Sequence, residues 1–275
     1  MPLPGIIRKL SYNSWVIRGV RVLGLRSLGR RLYHFLVSPR QGVLHVERGG
    51  VTAAFVTRTP DQLRAVEAVS LEPSLDLLAR SVQPGDTVYD VGSNLGVYSV
   101  ILAKAVGPRG TVVAFEPHHE TYERLVENVK LNGLENVRAF ERALGKQASE
   151  EKLYIGEVIA NFSLLPQAVS SSVGSDIPFQ SVQVVQGDKF VEAEKLPVPN
   201  AVKIDVEGFE YSVLKGLQRT LADPRCGLIC CEIHPQFLPA HVKASDINDL
   251  LRSLGYNRIE AEPAETAYHL VAYRS

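Results

Sequence analysis

The chain has 275 residues, enough for one domain with a sizeable core plus a terminal extension, and its 30 basic residues balance 30 acidic ones. No run of 18 apolar residues occurs and the first stretch has no apolar core of the signal-peptide kind, so neither a membrane span nor a secretory leader is expected. Cys226, Cys230 and Cys231 match no zinc or disulfide spacing and read as reduced, buried thiols of a cytoplasmic protein.

The charge is unevenly spread. The first forty residues hold eight basic residues (Arg8, Lys9, Arg18, Arg21, Arg26, Arg30, Arg31 and Arg40) and no acid, which leaves 22 basic against 30 acidic residues, a net of −8, in the remainder. Residues 3–37 mix these charges with Leu, Ile, Val and Trp15 at loose helical spacing. One reading is a basic amphipathic segment in peripheral contact with the anionic inner face of a membrane. The other is a helix packed on the rest of the chain with its arginines solvated; Gly19, Gly24 and Gly29 weaken any continuous helix. Residues 42–57 predict a β-hairpin turning at Arg48-Gly-Gly50, and residues 62–82 predict a helix that ends before Pro84.

The stretch Asp86–Pro117 carries the first chemistry. Thr87-Val-Tyr-Asp-Val91 reads as a buried strand, Tyr98–Val106 as a helix, and Thr111-Val-Val-Ala-Phe115 as a second strand ending at Glu116 and Pro117. Strand, glycine turn, helix, strand and acid make a nucleoside-binding βαβ unit, in which the terminal acid accepts hydrogen bonds from ribose hydroxyls. Dinucleotide folds use G-x-G-x-x-G to seat a pyrophosphate on a helix N-terminus. Here the turn is Gly92-Ser93-Asn94-Leu95-Gly96, with Asp90 two residues before it. An anion would meet Asp90, whereas an ammonium or sulfonium would be welcome, so S-adenosylmethionine is expected rather than NAD.

Residues 118–132 predict a helix stopped by Gly133, and residues 137–144 a third strand with Glu141 at its C-terminal end. Residues 151–186 are irregular, with a Ser170-Ser-Ser172 run, and suggest a flexible insertion on the substrate side with one or two small strands. Residues 201–210 read as a strand running into a helix over 211–221. Alternation along that strand puts Lys203, Asp205 and Glu207 on one side. Gly227–Pro235 makes the next strand, with Glu232 and His234 on a shared face. If the two strands are parallel neighbours, Asp205, Glu207, Glu232 and His234 converge at the carboxyl edge, where open α/β sheets bind ligands.

Asp90-Val-Gly-Ser-Asn-Leu-Gly96, Phe115-Glu-Pro117, Lys203-Ile-Asp-Val-Glu-Gly-Phe-Glu210, Val213-Leu-Lys-Gly216 and Glu232-Ile-His234 together resemble the FkbM-type S-adenosylmethionine-dependent methyltransferases, over about residues 70–260. The resemblance implies a Rossmann-like, doubly wound α/β sheet of seven strands, mostly parallel with one antiparallel. It also implies O-methylation of hydroxyls on sugars, glycolipids or polyketide-type products. Gly187-Asp188 departs from the leucine-aspartate common in that family. Residues 61–275 then form the methyltransferase domain, with 151–186 as its insertion, behind a basic helical extension and hairpin at 1–60.

Expected cofactor contacts are Asp90, Gly92, Ser93, Asn94, Gly96, Glu116, Pro117, Glu141 and Asp205. Methyl transfer needs alignment and removal of a hydroxyl proton, so Asp205 is placed beside donor and acceptor, while Glu207, Glu232 and His234 supply a base and its orienting partner. His234 has the intrinsic pKa best suited to a base near neutrality. The alternatives are a buried Lys203–Glu232 ion pair with a structural His234, or a divalent metal held by Asp205, Glu207, Glu232 and His234. A nucleic-acid or amine acceptor is less well matched: Asp205-Val-Glu-Gly208 is acidic where an RNA groove is basic.

Overall fold

The computed structural model describes residues 42–156, 162–169, 177–239, 242–263 and 267–274. The arginine-rich start and the Ser170–Ser172 run fall outside the described residues, and with them the expectation of membrane contact. Among the described residues no helix is long and apolar enough to cross a membrane.

A hairpin comes first, β1 (Gly42–Arg48) paired antiparallel with β2 (Val51–Thr57). Gly49 and Gly50 turn it with φ of +56° and +79°, the left-handed pair that a two-residue turn needs to match strand twist. The helix expected over 62–82 is two helices, α1 (Pro60–Ser70) and α2 (Pro73–Ser81). Pro73 is the cause: it has no N–H to continue α1 and pushes Glu72 into extended backbone, at ψ 131°.

The centre is a seven-stranded sheet. Its members are β3 (Thr87–Val91), β4 (Thr111–Phe115), β5 (Val137–Phe140), β10 (Ala201–Ile204), β11 (Leu228–Ile233), β12 (Arg258–Pro263) and β13 (Tyr268–Tyr273). Their order is β12-β13-β11-β10-β3-β4-β5, parallel throughout except for β13, which runs against both neighbours. This is the doubly wound α/β sheet that the sequence led us to expect. The order reverses beside β3, so β3 and β10 leave a crevice at their carboxyl ends. Helices α3 (Val97–Val106) and α4 (His119–Leu131) complete the first half, and α9 (Ala244–Ser253) precedes β12. One apolar cluster joins Phe55 of the hairpin to Leu78, Ile101 and Val112. The other, on the opposite face, gathers Tyr89, Ile204, Leu214, Ile229 and Leu251.

Two expected strands end early because a neighbour does, and one expected helix is broken by crowding. The strand expected over 137–144 breaks after β5, at Glu141. Its ladder stops with the Glu116 amide on the Phe140 carbonyl, and Pro117 has no hydrogen with which to extend it. The chain then crosses into a four-stranded sheet, β6 (Ala143–Gly145), β7 (Ser149–Ile155), β8 (Phe162–Ser163) and β9 (Phe179–Gln186), in the order β6-β9-β7-β8. Among its described residues, the region expected to hold one or two small strands carries parts of three, β7, β8 and β9, with one helical turn, α5 (Pro166–Val169). Strand β10 stops at Ile204 because β3, its partner, stops at Val91; residues 205–209 are loop, so alternation no longer applies to Glu207. The following helix breaks at Leu217 into α7 (Glu210–Gly216) and α8 (Gln218–Ala222), where a Cβ on Gly216 would fall on the Gly145 carbonyl oxygen. Gly187, the family departure, opens α6 (Gly187–Ala193) against Gly216 and Leu217, and Asp188 caps α8 through the Arg219 and Thr220 amides.

The hairpin is held to the sheet by side-chain amides that complete its open edge. Asn128 Oδ1 accepts from the Val56 amide and Asn132 Oδ1 from the Ala54 amide, both at 2.9 Å, while Asn132 Nδ2 donates to the Ala54 carbonyl at 2.7 Å. Asn128 Nδ2 also donates to the Leu95 carbonyl at 2.8 Å, which ties the hairpin to the glycine turn. Asn128→Ala leaves two buried backbone groups unpaired and is expected to cost about 2–4 kcal/mol in urea denaturation, against well under 1 kcal/mol for an exposed control.

Candidate active site

One lysine ties the two strand-end loops together. Lys203, nearly fully buried, sits opposite Asp90 in the β3–β10 register. Its Nζ donates to the Gly92 carbonyl at 2.7 Å and lies 3.5 Å from Asp90 Oδ1 and 3.6 Å from Asp205 Oδ2. Burial alone would lower its pKa, but Asp205, Asp90, Glu72 and Glu232 outweigh that and hold it above the ordinary lysine value. Its closest partners are therefore Asp90 and Asp205, not the Glu232 of the alternative sequence reading. Asp90 is fully buried behind the turn, accepting from Ser99 Oγ at 2.5 Å, so it anchors Lys203 rather than lining the cavity.

The glycine turn is shaped by the chain's own crowding. Gly92 has φ +80°, and a Cβ there would fall on the Asp205 carbonyl oxygen; one on Gly96, at φ +82°, would meet Leu125. Ser93 bonds inward, its Oγ to the Asp90 carbonyl. The Gly92 and Ser93 amides both donate to the Phe115 carbonyl at 3.0 Å.

In front of the turn is a cavity that opens to solvent. Gly92, Asn94, Glu116 and Pro117 form one wall, Asp205, Glu207 and Phe209 the second, and Leu153, Phe162 and Leu164 of the smaller sheet the third. Glu116 is buried and accepts the Asn94 and His118 amides at 2.8 and 2.9 Å, one on each oxygen. Burial raises its pKa to about 7 against the lowering effect of those two bonds. Each oxygen keeps a free lone pair. Asp205 also borders two smaller crevices, one behind Asn94 and Tyr98, the other beside Glu72 and Glu232. Glu141 is elsewhere: half-exposed at the end of β5, it pairs with His119 at 3.1 Å, and Arg142 takes its place on the wall.

The second cluster lies behind Glu207. His234 is 5% exposed, with Nδ1 2.7 Å from Glu210 Oε1 and Nε2 3.3 Å from Glu207 Oε2 and 3.8 Å from Glu232 Oε1. Burial lowers its pKa, but the Glu210 bond and the charges of Glu210, Glu207 and Asp205 prevail and set it at about 9. The surrounding carboxylates thus favour the imidazolium, the form that orients a neighbouring carboxyl rather than the form that accepts a proton. Glu207 and Glu232 are raised as well. Burial and the Asp205 carboxylate raise both to about 7, with His234 opposing, which makes them the groups poised to accept a proton. The four residues expected to converge do so, with Glu207 on the cavity wall and His234 behind it.

Glu207 is held at φ +50° beside Gly208 at +101°, a left-handed conformation that costs a non-glycine residue on the order of 1–3 kcal/mol. Two participants were missed in the sequence. Glu210, fully buried, stands in the Lys203–Glu210 motif itself, but its reach back to His234 and to the Gly208 amide depends on α7 starting there. Glu72 accepts from the Tyr98 hydroxyl at 2.7 Å, a contact that exists only because Pro73 breaks the helix. Among the described residues no group of three or more His, Cys, Asp or Glu is placed to hold a metal ion. The three cysteines are buried and free, as the sequence suggested.

With this geometry established, the comparisons decide the family. A model of the methyltransferase FkbM domain matches residues 90–258. The chain belongs to the FkbM methyltransferase family. Its relatives include the hexuronic acid methyltransferase AglP of Haloferax volcanii, 29% identical over 74% of this chain and 78% of that protein. Methyltransferase 1 of Beauveria bassiana is 29% identical over 49% of this chain and 59% of its own length. Among solved structures, a SAM-dependent O-methyltransferase from Thermotoga maritima is similar at TM-score 0.45 and 16% identity, covering 84% of this chain and 77% of that one.

The raised pKa values of this FkbM site share one consequence for stability. His234 titrates above its ordinary 6.5, so its contribution is complete below that pH and lost as pH rises through about 9. Glu116, Glu207 and Glu232 titrate above their ordinary 4.5, so theirs is lost as pH rises through about 7. The melting temperature of the ligand-free protein is expected to fall steadily between about pH 5 and pH 9, followed by circular dichroism. A rise across that interval would contradict these assignments.

Proposed function

We propose that the chain transfers a methyl group from S-adenosylmethionine to a hydroxyl of a sugar, glycolipid or related metabolite, with Glu207 as the general base. The observation that carries this reading is one cavity whose wall bears Glu116, the Gly92–Asn94 turn, Asp205 and Glu207 in succession. The wall fits the donor by charge: three carboxylates favour a cation and disfavour a pyrophosphate. Bound there, the donor supplies a methyl group already activated on a positively charged sulfur.

The residues of the chain do the rest. The free lone pairs of Glu116 accept two ribose hydroxyls, and the Asn94 and His118 amides keep its carboxylate in that orientation. Phe115 and Pro117 offer apolar surface beside it. Asp205, steadied by Lys203, puts a negative charge where the cation is to lie. Glu207 takes the acceptor proton, and the His234 imidazolium, locked by Glu210, keeps the carboxyl facing it. Leu153, Phe162, Leu164 and Phe209 supply apolar faces for a sugar ring and exclude water. The similarity to AglP, a hexuronic acid methyltransferase, supports a sugar acceptor.

Incubating the enzyme with methyl-labelled donor and fractionated glycans, lipids and small metabolites identifies the acceptor class. With that acceptor, kcat is expected to rise through about pH 7 as Glu207 ionises and to decline toward pH 9 as His234 loses its proton. Glu207→Gln should lower kcat by roughly 10²–10⁴-fold and abolish the rising limb, with donor affinity within about threefold of wild type. Glu116→Gln should instead weaken donor binding by roughly 10–100-fold in calorimetry. Wild-type affinity in that variant, or binding of NAD in place of the methyl donor, would count against the cofactor assignment.

A further inference from the structure

Strand β8 reaches both ends of the cavity. Phe162 lines it and stacks on the His118 ring, 4.1 Å between centroids, beside Glu116 and Pro117. Leu165, two residues past Ser163 at the strand's end, stands against Gly208, where a Cβ would lie 2.9 Å from its Cδ1. Between them Ser163 is 1% exposed and its hydroxyl is fully committed. The Leu165 amide donates to Ser163 Oγ at 3.0 Å, so the single hydroxyl hydrogen goes to the Glu207 carbonyl, 2.6 Å away. That carbonyl belongs to the one left-handed non-glycine residue on the cavity wall whose carboxyl meets His234. Such a conformation persists only where its surroundings hold it.

We propose that Ser163 is a positioning residue: by bonding the Glu207 carbonyl it keeps Glu207 left-handed, and so keeps the Glu207 carboxyl on His234 and on the cavity wall. The strand that offers Phe162 to an acceptor thereby sets where the proton-accepting carboxyl stands. The role rests on the reading of Glu207 as base.

His234 reports this arrangement without donor or acceptor. The charged groups around it are Glu210 from α7, Asp205 and Glu207 from the loop after β10, and Glu232 from β11, with Phe237 stacked at 6.0 Å. Its titration can be followed by proton NMR in the full chain and assigned among seven histidines with a His234→Gln variant. Ser163→Ala should lower the His234 midpoint by roughly one pH unit, because one facing carboxylate moves away. Glu207→Gln should lower it comparably, and Ser163→Ala should add nothing in the Glu207→Gln background, since both act through one contact. Ser163→Cys, near-isosteric with a weaker donor, should fall between and serves if the alanine variant does not fold.

A wild-type midpoint in the Ser163 variants overturns the proposal, as does an equal further drop in the Glu207→Gln background. Turnover separates this from the functional reading. A fully active Glu207→Gln removes the base and the positioning role with it. An inactive Glu207→Gln beside a Ser163→Ala that titrates like wild type removes the positioning role alone.

Discussion

The site depends on one buried lysine. Lys203 reaches from β10 to the carbonyl of Gly92 while standing between Asp90 and Asp205, so it joins the end of β3, the glycine turn and the start of the loop after β10. A lysine this deep is tolerated only with partners, and removing one of them leaves an uncompensated charge in a dry interior. The crowding at Gly92 follows from the same approach. The turn and the Asp205 backbone lie back to back, and no side chain fits between them. Everything that faces the cavity is placed relative to that junction.

Around it the protein concentrates negative charge and lets burial redistribute the protons. Glu116, Glu207 and Glu232 are each lifted to about 7, while His234, enclosed by carboxylates, is lifted to about 9. Both kinds of group are thereby shifted upward, the carboxyls to neutrality and the imidazole above it. The imidazole becomes a fixed cation and a carboxyl becomes the group that exchanges protons near neutrality. Desolvation acts against the charged form in both residue types; only the count of opposing charges within reach differs.

The smaller sheet explains how the cavity acquires a third wall. Pro117 ends the ladder on β5, the chain leaves the main sheet at Glu141, and β6 starts a second sheet through β9, β7 and β8. That sheet does more than cover the crevice. Phe162 lies on His118 beside Glu116 at one end, and Ser163 bonds the backbone of Glu207 at the other. The loop after β10, which holds a glutamate in an unfavourable conformation, is steadied by the same strand that lines the cavity.

Local pattern alone determined much of this. Alternating and β-branched runs located β3, β4, β10 and β11, a Gly-Gly pair placed the hairpin, and the Asp90–Gly96 and Lys203–Glu210 motifs located the site and the family. The break at Pro73 was also legible in principle, since a proline carries its constraint wherever it stands. Other features had no local signal. β10 stops at Ile204 because β3 stops beside it, Lys203 pairs with Asp90 across the register, and Ser163 meets Glu207 from 44 positions away. The charge on His234 likewise reflects carboxylates brought together by separate elements. Strand ends, buried ion pairs and pKa values are properties of neighbours in space, so the sequence named part of the cluster and only the packing decided which side chains meet.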